Sequence, residues 1–78
     1  MKVSEIISSV IVPAYEEEKN KVGYAAFRWY RGILPDGTTT IFRFSKGGSP
    51  THFADYVAAQ GFVDVDGPFK TRIAAKIV

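Results

Sequence analysis

No cysteine occurs among the 78 residues, so neither a disulfide framework nor a thiolate zinc site holds this small chain together. Histidine is almost as scarce: His52 stands alone, without the second imidazole or thiolate that a metal site needs. No metal and no cofactor are expected. Long apolar runs are also missing, and nothing approaches the roughly 20 residues of a membrane-spanning helix. The start, MKVSEIISSVIVPA, partly imitates a secretory leader, but Glu5, Ser8 and Ser9 interrupt its apolar stretch. Losing it would leave too little core, so a soluble, cytoplasmic protein is expected.

Acid is nearly absent from the middle of the chain. Residues 19 to 46 hold Lys19, Lys21, Arg28, Arg31, Arg43 and Lys46 against Asp36 alone. The overall charge of +2 therefore hides segregation. Residues 1 to 18 are acidic through Glu5, Glu16, Glu17 and Glu18, residues 47 to 66 through Asp55, Asp64 and Asp66, and the end is basic again through Lys70, Arg72 and Lys76. Segregated charge bears on partners and steering rather than on fold.

What is abundant is core material. With 46% hydrophobic and 14% aromatic residues, the chain has the composition of a folded domain rather than a disordered tail. Residues 1 to 78 are read as a single domain, one small enough to bury only about 60 to 65 per cent of its unfolded surface. Val3, Ile6, Ile7, Val10 and Ile11 recur at helical spacing, which predicts a helix over about 3–12 ending at Pro13; their β-branching leaves a strand as the alternative. The stripe is core, or a surface that buries against a second copy as a homodimer. AYEEEKNK then reads as a polar connection.

The segment 22–46 predicts a hairpin around LPDGT, with proline and glycine where a type I turn and its left-handed closing residue want them. Opposed numbers summing to 71 would set Trp29 against Phe42, Phe27 against Phe44 and Ile33 against Thr38 on the core side. The wet side would then show Arg28 across from Arg43, Tyr30 across from Ile41 and Gly32 beside Thr39. A slip of one residue would exchange these sets on one strand. Ser49 as N-cap, Pro50 as first residue and Gly61 at the stop predict a helix over about 50–60, with Phe53 and Val57 packed on the hairpin. In the remainder, a short strand, a turn at DGP and a final strand alternating Phe69, Thr71, Ile73, Ala75 and Ile77 with Lys70, Arg72, Ala74, Lys76 and Val78 are expected. The fold class is α+β: a small antiparallel sheet of about three to five strands, covered by a helix.

Arg28, Arg43 and Tyr30 form the sharpest candidate constellation, because guanidinium groups fork onto phosphate and an exposed tyrosine stacks on a base. The plainer reading is that both arginines reach Glu16 to Glu18 or spread into solvent. Lys46 and the two glycines of SKGGSP precede a helix N-terminus, where an anion is favoured, although a flexible connection explains them as well. Lys70, Arg72 and Lys76 extend the basic set. Ser49, His52 and Asp55 do not make a convincing hydrolytic triad, and DVDG lacks the third ligand and terminal glutamate of a calcium loop.

In its order of strands, PDG turn and following helix, the stretch 22 to 60 is similar in outline to the three-stranded DNA-binding domains of integrase arm-binding regions. That resemblance implies a sheet that lies in the major groove, and it transfers no residue role. The expected function is a non-enzymatic binding domain whose basic, aromatic-bearing sheet face recognises an anionic partner. Nucleic acid is favoured; the alternative is a small inhibitor or adaptor, such as a phage-type effector, that docks on an acidic protein surface.

Overall fold

The structure, a computed structural model, describes residues 1–21 and 26–76. The start of the expected hairpin at 22–25 and the expected strand positions Ile77 and Val78 lie outside the described residues. The element order is α1 (Val3–Ile6), a π-helical turn (Ile7–Ile11), α2 (Val12–Glu18), β1 (Phe27–Ile33), β2 (Thr39–Ser45), α3 (Pro50–Gln60), β3 (Asp64–Phe69) and α4 (Arg72–Lys76). The three strands form one antiparallel sheet in the order β2-β1-β3, so the α+β expectation holds.

The N-terminal helix forms as the periodicity predicts, but it does not stop at Pro13. It continues through α2 to Glu18, which makes AYEEE helical rather than a connection. Proline in a helix interior lacks an N–H and clashes with the carbonyl four residues back. Here the chain widens before reaching it: the Val12 N–H donates to the Ile7 carbonyl, five residues earlier. The Ser8 and Ser9 hydroxyls both donate to the Glu5 carbonyl, at 3.2 and 2.6 Å, which supplies that carbonyl with donors inside the disturbed turn. The wider turn has a packing consequence. Ile6 and Ile11 would lie about 140° apart on a regular helix; the longer turn narrows that angle, and both side chains are buried.

The hairpin turn is the expected one. Gly37 has φ +88° and its N–H donates to the Leu34 carbonyl at 2.9 Å, while the Leu34 N–H donates to the Thr38 carbonyl. Asp36 Oδ1 accepts from both the N–H and the hydroxyl of Thr38 and pins the turn. The register that follows differs from the expectation by one residue. Gly37 is the extra, unpaired residue of a bulge, so Leu34 meets Thr38 and the opposed numbers sum to 72: Arg28 with Phe44, Trp29 with Arg43, Tyr30 with Phe42, Gly32 with Thr40.

That single step exchanges the two faces of β1. Tyr30 and Gly32, expected in solvent, are buried together with Phe42, and Arg28 does not oppose Arg43. Phe27, Trp29 and Ile33, expected in the core, lie on the opposite face with Arg31, Ile41 and Arg43.

Helix α3 matches its predicted limits. Ser49 Oγ accepts from the His52 N–H at 3.1 Å, and Gly61 closes the helix in the left-handed conformation. Phe53 is fully buried, with its ring 5.6 Å from Tyr30, 6.0 Å from Phe42 and 5.2 Å from Phe44. Ile6, Ile11, Val57, Phe62 and Val65 complete this cluster, so the N-terminal helix and α3 cover the same side of the sheet.

The C-terminal expectation needs two corrections. The DGP sequence is not a turn; it runs inside β3, where the pairing with β1 is irregular between Trp29 and Arg31. Pro68 has no N–H to give a ladder, and a bulge is where a strand tolerates that. Residues Arg72–Lys76 then form one turn of helix instead of a strand. Thr71 Oγ1 accepts from the Ala74 N–H at 3.1 Å as an N-cap, and buried Ala75 settles on the face of the sheet that α3 leaves open.

Candidate binding surfaces

The seven sequence-predicted residues divide between two surfaces. Arg28, Tyr30 and Lys46 converge on a groove between the N-terminal helix and the sheet, with a volume of about 280 Å³. Arg43 lies across the sheet from them, and Lys70, Arg72 and Lys76 are exposed along the segment that enters and forms α4.

The groove exists because the helix persists beyond Pro13. Val10, Pro13 and Ala14 form one apolar wall, and Pro68 of β3 adds another. Glu17 and Glu18 of α2 line it as well. Arg28 arrives from β1, paired with Phe44 on the core side of the sheet. Lys46 follows β2, where its N–H donates to the Ala26 carbonyl at 3.0 Å and extends the ladder. Tyr30 is only 3% exposed, stacked 5.5 Å from Phe42. Burial pushes its phenol above the usual tyrosine range, and the charge of Arg28 partly counters that. The ring is therefore not the exposed stacking platform expected from the sequence. Among the described residues, Glu18 pairs with Lys21 at 3.5 Å, whereas no ion pair is formed by Arg28 or Lys46.

On the opposite face the Arg43 guanidinium carbon lies 4.7 Å from the centre of the Phe27 ring. The two are diagonal neighbours across β1 and β2, a distance that long side chains span. Phe27 is 44% exposed and Arg43 is exposed beside it. Helix α4 covers part of this face and adds the exposed side chains of Arg72, Ile73 and Lys76.

Sequence reasoning missed Arg31. Its side chain is 13% exposed, with Nη2 2.9 Å from Asp66 Oδ2, Nη1 donating to the Ala75 carbonyl at 3.0 Å, and the Phe69 ring 5.5 Å from the guanidinium carbon. The Met1 ammonium donates to Asp66 Oδ1 at 3.0 Å. Hydrogen bonds from the Met1 ammonium and from Arg31 hold the Asp66 carboxyl below the usual carboxylate range. This arginine is structural: it fastens α4 and β3 to β1. No sequence pattern signals it, because Arg31 and Asp66 are 35 positions apart and meet only through the β1–β3 register.

Among the described residues no group of three or more histidine, aspartate or glutamate side chains could hold a metal ion, and no helix is long and apolar enough to cross a membrane. No protein family, curated protein or solved structure matches this chain, and the likeness to integrase arm-binding domains is one of element order alone.

Proposed function

We propose that this protein is a non-enzymatic binding domain for an anionic partner, nucleic acid by preference, and that it binds through the outer face of the sheet. The observation that carries this reading is the exposed Phe27 ring with the Arg43 guanidinium 4.7 Å from its centre. A solvent-facing aromatic ring offers a base a stacking surface, and the adjacent guanidinium offers phosphate a planar pair of donors. Arg72 and Lys76 of α4 and Lys70 before it are exposed nearby in the fold and extend the positive charge. Arg31, neutralised by Asp66, is not part of the contact surface.

The alternative, an inhibitor or adaptor that covers an acidic protein surface, draws support from Ile73. This side chain is 71% exposed between Arg72 and Ala74, and an apolar residue among basic ones suits a protein interface.

The experiment is a titration of the protein with labelled single-stranded DNA, RNA and duplex DNA at low and near-physiological salt. Affinity should fall steeply as salt rises, through counterion release. Arg43→Ala and Phe27→Ala should each weaken binding by roughly five- to tenfold, the scale of about 1 to 1.4 kcal/mol for one stacking or phosphate contact. Absence of binding at low salt removes the nucleic-acid reading and leaves the acidic protein surface.

A further inference from the structure

The groove differs from the outer face in its electrical character, and that difference bears on what it can bind. Its positive side chains, Arg28 and Lys46, come from the sheet, and its carboxylates, Glu17 and Glu18, come from the helix. A polyanion is poorly suited to such a lining, because the two glutamates oppose it. The cations are nevertheless short of acceptors. Arg28 and Lys46 are both half-buried, and among the described residues neither is in an ion pair although two carboxylates line the same space. Partial burial raises the cost of an unmatched charge. Among the described residues the Tyr30 hydroxyl likewise has no hydrogen-bond partner, yet it is not sealed off from solvent.

We propose that this groove binds a small zwitterion, an α-amino acid with an apolar side chain. Its carboxylate would lie against Arg28 and Lys46, and its ammonium group would face Glu17, since Glu18 is already paired with Lys21. The Arg28 fork matches a carboxylate with two parallel hydrogen bonds, and the Tyr30 hydroxyl can donate a further one. Val10, Pro13, Ala14 and Pro68 supply the apolar walls for the side chain. A volume of about 280 Å³ lies at the lower end of ligand cavities, the size of a single residue rather than of an oligomer. A ligand that carries both charges matches a lining that presents two cations and, in Glu17, a carboxylate outside any ion pair among the described residues. The proposal is independent of nucleic-acid binding on the outer face.

The test is a titration with leucine, N-acetyl-leucine and leucine amide, followed through backbone amide shifts in two-dimensional NMR. Leucine should bind saturably and shift the amides of Glu17, Arg28 and Lys46. N-acetyl-leucine, without the ammonium, and leucine amide, without the carboxylate, should each bind at least about tenfold more weakly, the equivalent of about 1.4 kcal/mol for one lost charged contact. Arg28→Gln should abolish the leucine response and leave Arg43-dependent nucleic-acid binding unchanged. Should Arg28→Gln disturb the fold, Glu17→Gln on the exposed side of α2 serves instead: it should weaken leucine and spare N-acetyl-leucine. No saturable shift with millimolar leucine would overturn the proposal. So would equal binding of leucine and N-acetyl-leucine, which would show that Glu17 takes no part.

Discussion

Gly32 on β1 has no side chain because Phe62 occupies the space. A methyl group there would fall inside the van der Waals radius of the Phe62 ring, which is itself buried and stacked 5.7 Å from Phe42. Gly32→Ala should therefore lower stability by about 1 to 3 kcal/mol, the usual cost of overpacking a filled core. Chemical denaturation would measure the loss, and Phe62→Leu in the same chain should recover part of it. Asp66 gives a second residue-scale expectation. Its carboxyl titrates below its ordinary 3.8 in the folded chain because the Met1 ammonium and Arg31 donate to it. A lowered carboxylate pKa contributes stability that is present above the unfolded value and is lost as pH falls through the folded one. Asp66→Asn should cost about 1 to 2 kcal/mol at neutral pH, and its stability should converge on that of the unsubstituted protein as pH falls below 3.8. The Met1 ammonium has the opposite sign. Its pKa is raised above 8.0, so its share is lost as pH rises through the folded value, and the Met1–Asp66 contact is strongest between those two limits.

Elements differ in how much of them can be read from neighbouring residues. Helix α3 was fully legible, because Ser49, Pro50 and Gly61 act on their own backbone and need no distant partner. The Leu34–Gly37 turn was legible for the same reason. Register was not. β1 carries apolar side chains on both faces, Phe27, Trp29 and Ile33 on one and Tyr30 on the other, so hydrophobic alternation could not decide which side faces the core. The bulged glycine, which adds one residue to one strand only, decided it. The groove was hidden for a related reason: proline normally ends a helix, and continuation through Pro13 depends on a wide turn held by tertiary packing. Burying an isoleucine is worth about 1.5 to 3 kcal/mol, whereas one more regular helical hydrogen bond is worth about 0.5 to 1.5. Pro13→Ala should therefore leave the π-helical turn in place. Nuclear Overhauser contacts from the Ile6 and Ile11 methyls to the aromatic core should persist, and a loss of either set would mean that the proline itself forces the turn.

At the scale of the whole molecule, the sheet is a partition between two surfaces of unlike charge. The side under the N-terminal helix holds a groove lined by both cations and carboxylates. The other side shows Arg43, Arg72 and Lys76, while its one enclosed arginine is neutralised by Asp66. The segregated charges of the sequence suggested one basic face, and residues from both sides of the sheet were assigned to it, because Arg28 and Arg43 share a face only in the register that the chain does not adopt. The same parity governs Trp29, the sole tryptophan, which belongs to the outer face, opposite Arg43. The molecule thus carries a single indole reporter on one side of the partition. Its emission should quench or shift when nucleic acid stacks beside Phe27 and stay constant while leucine fills the groove, so that one cuvette distinguishes the two events by colour alone.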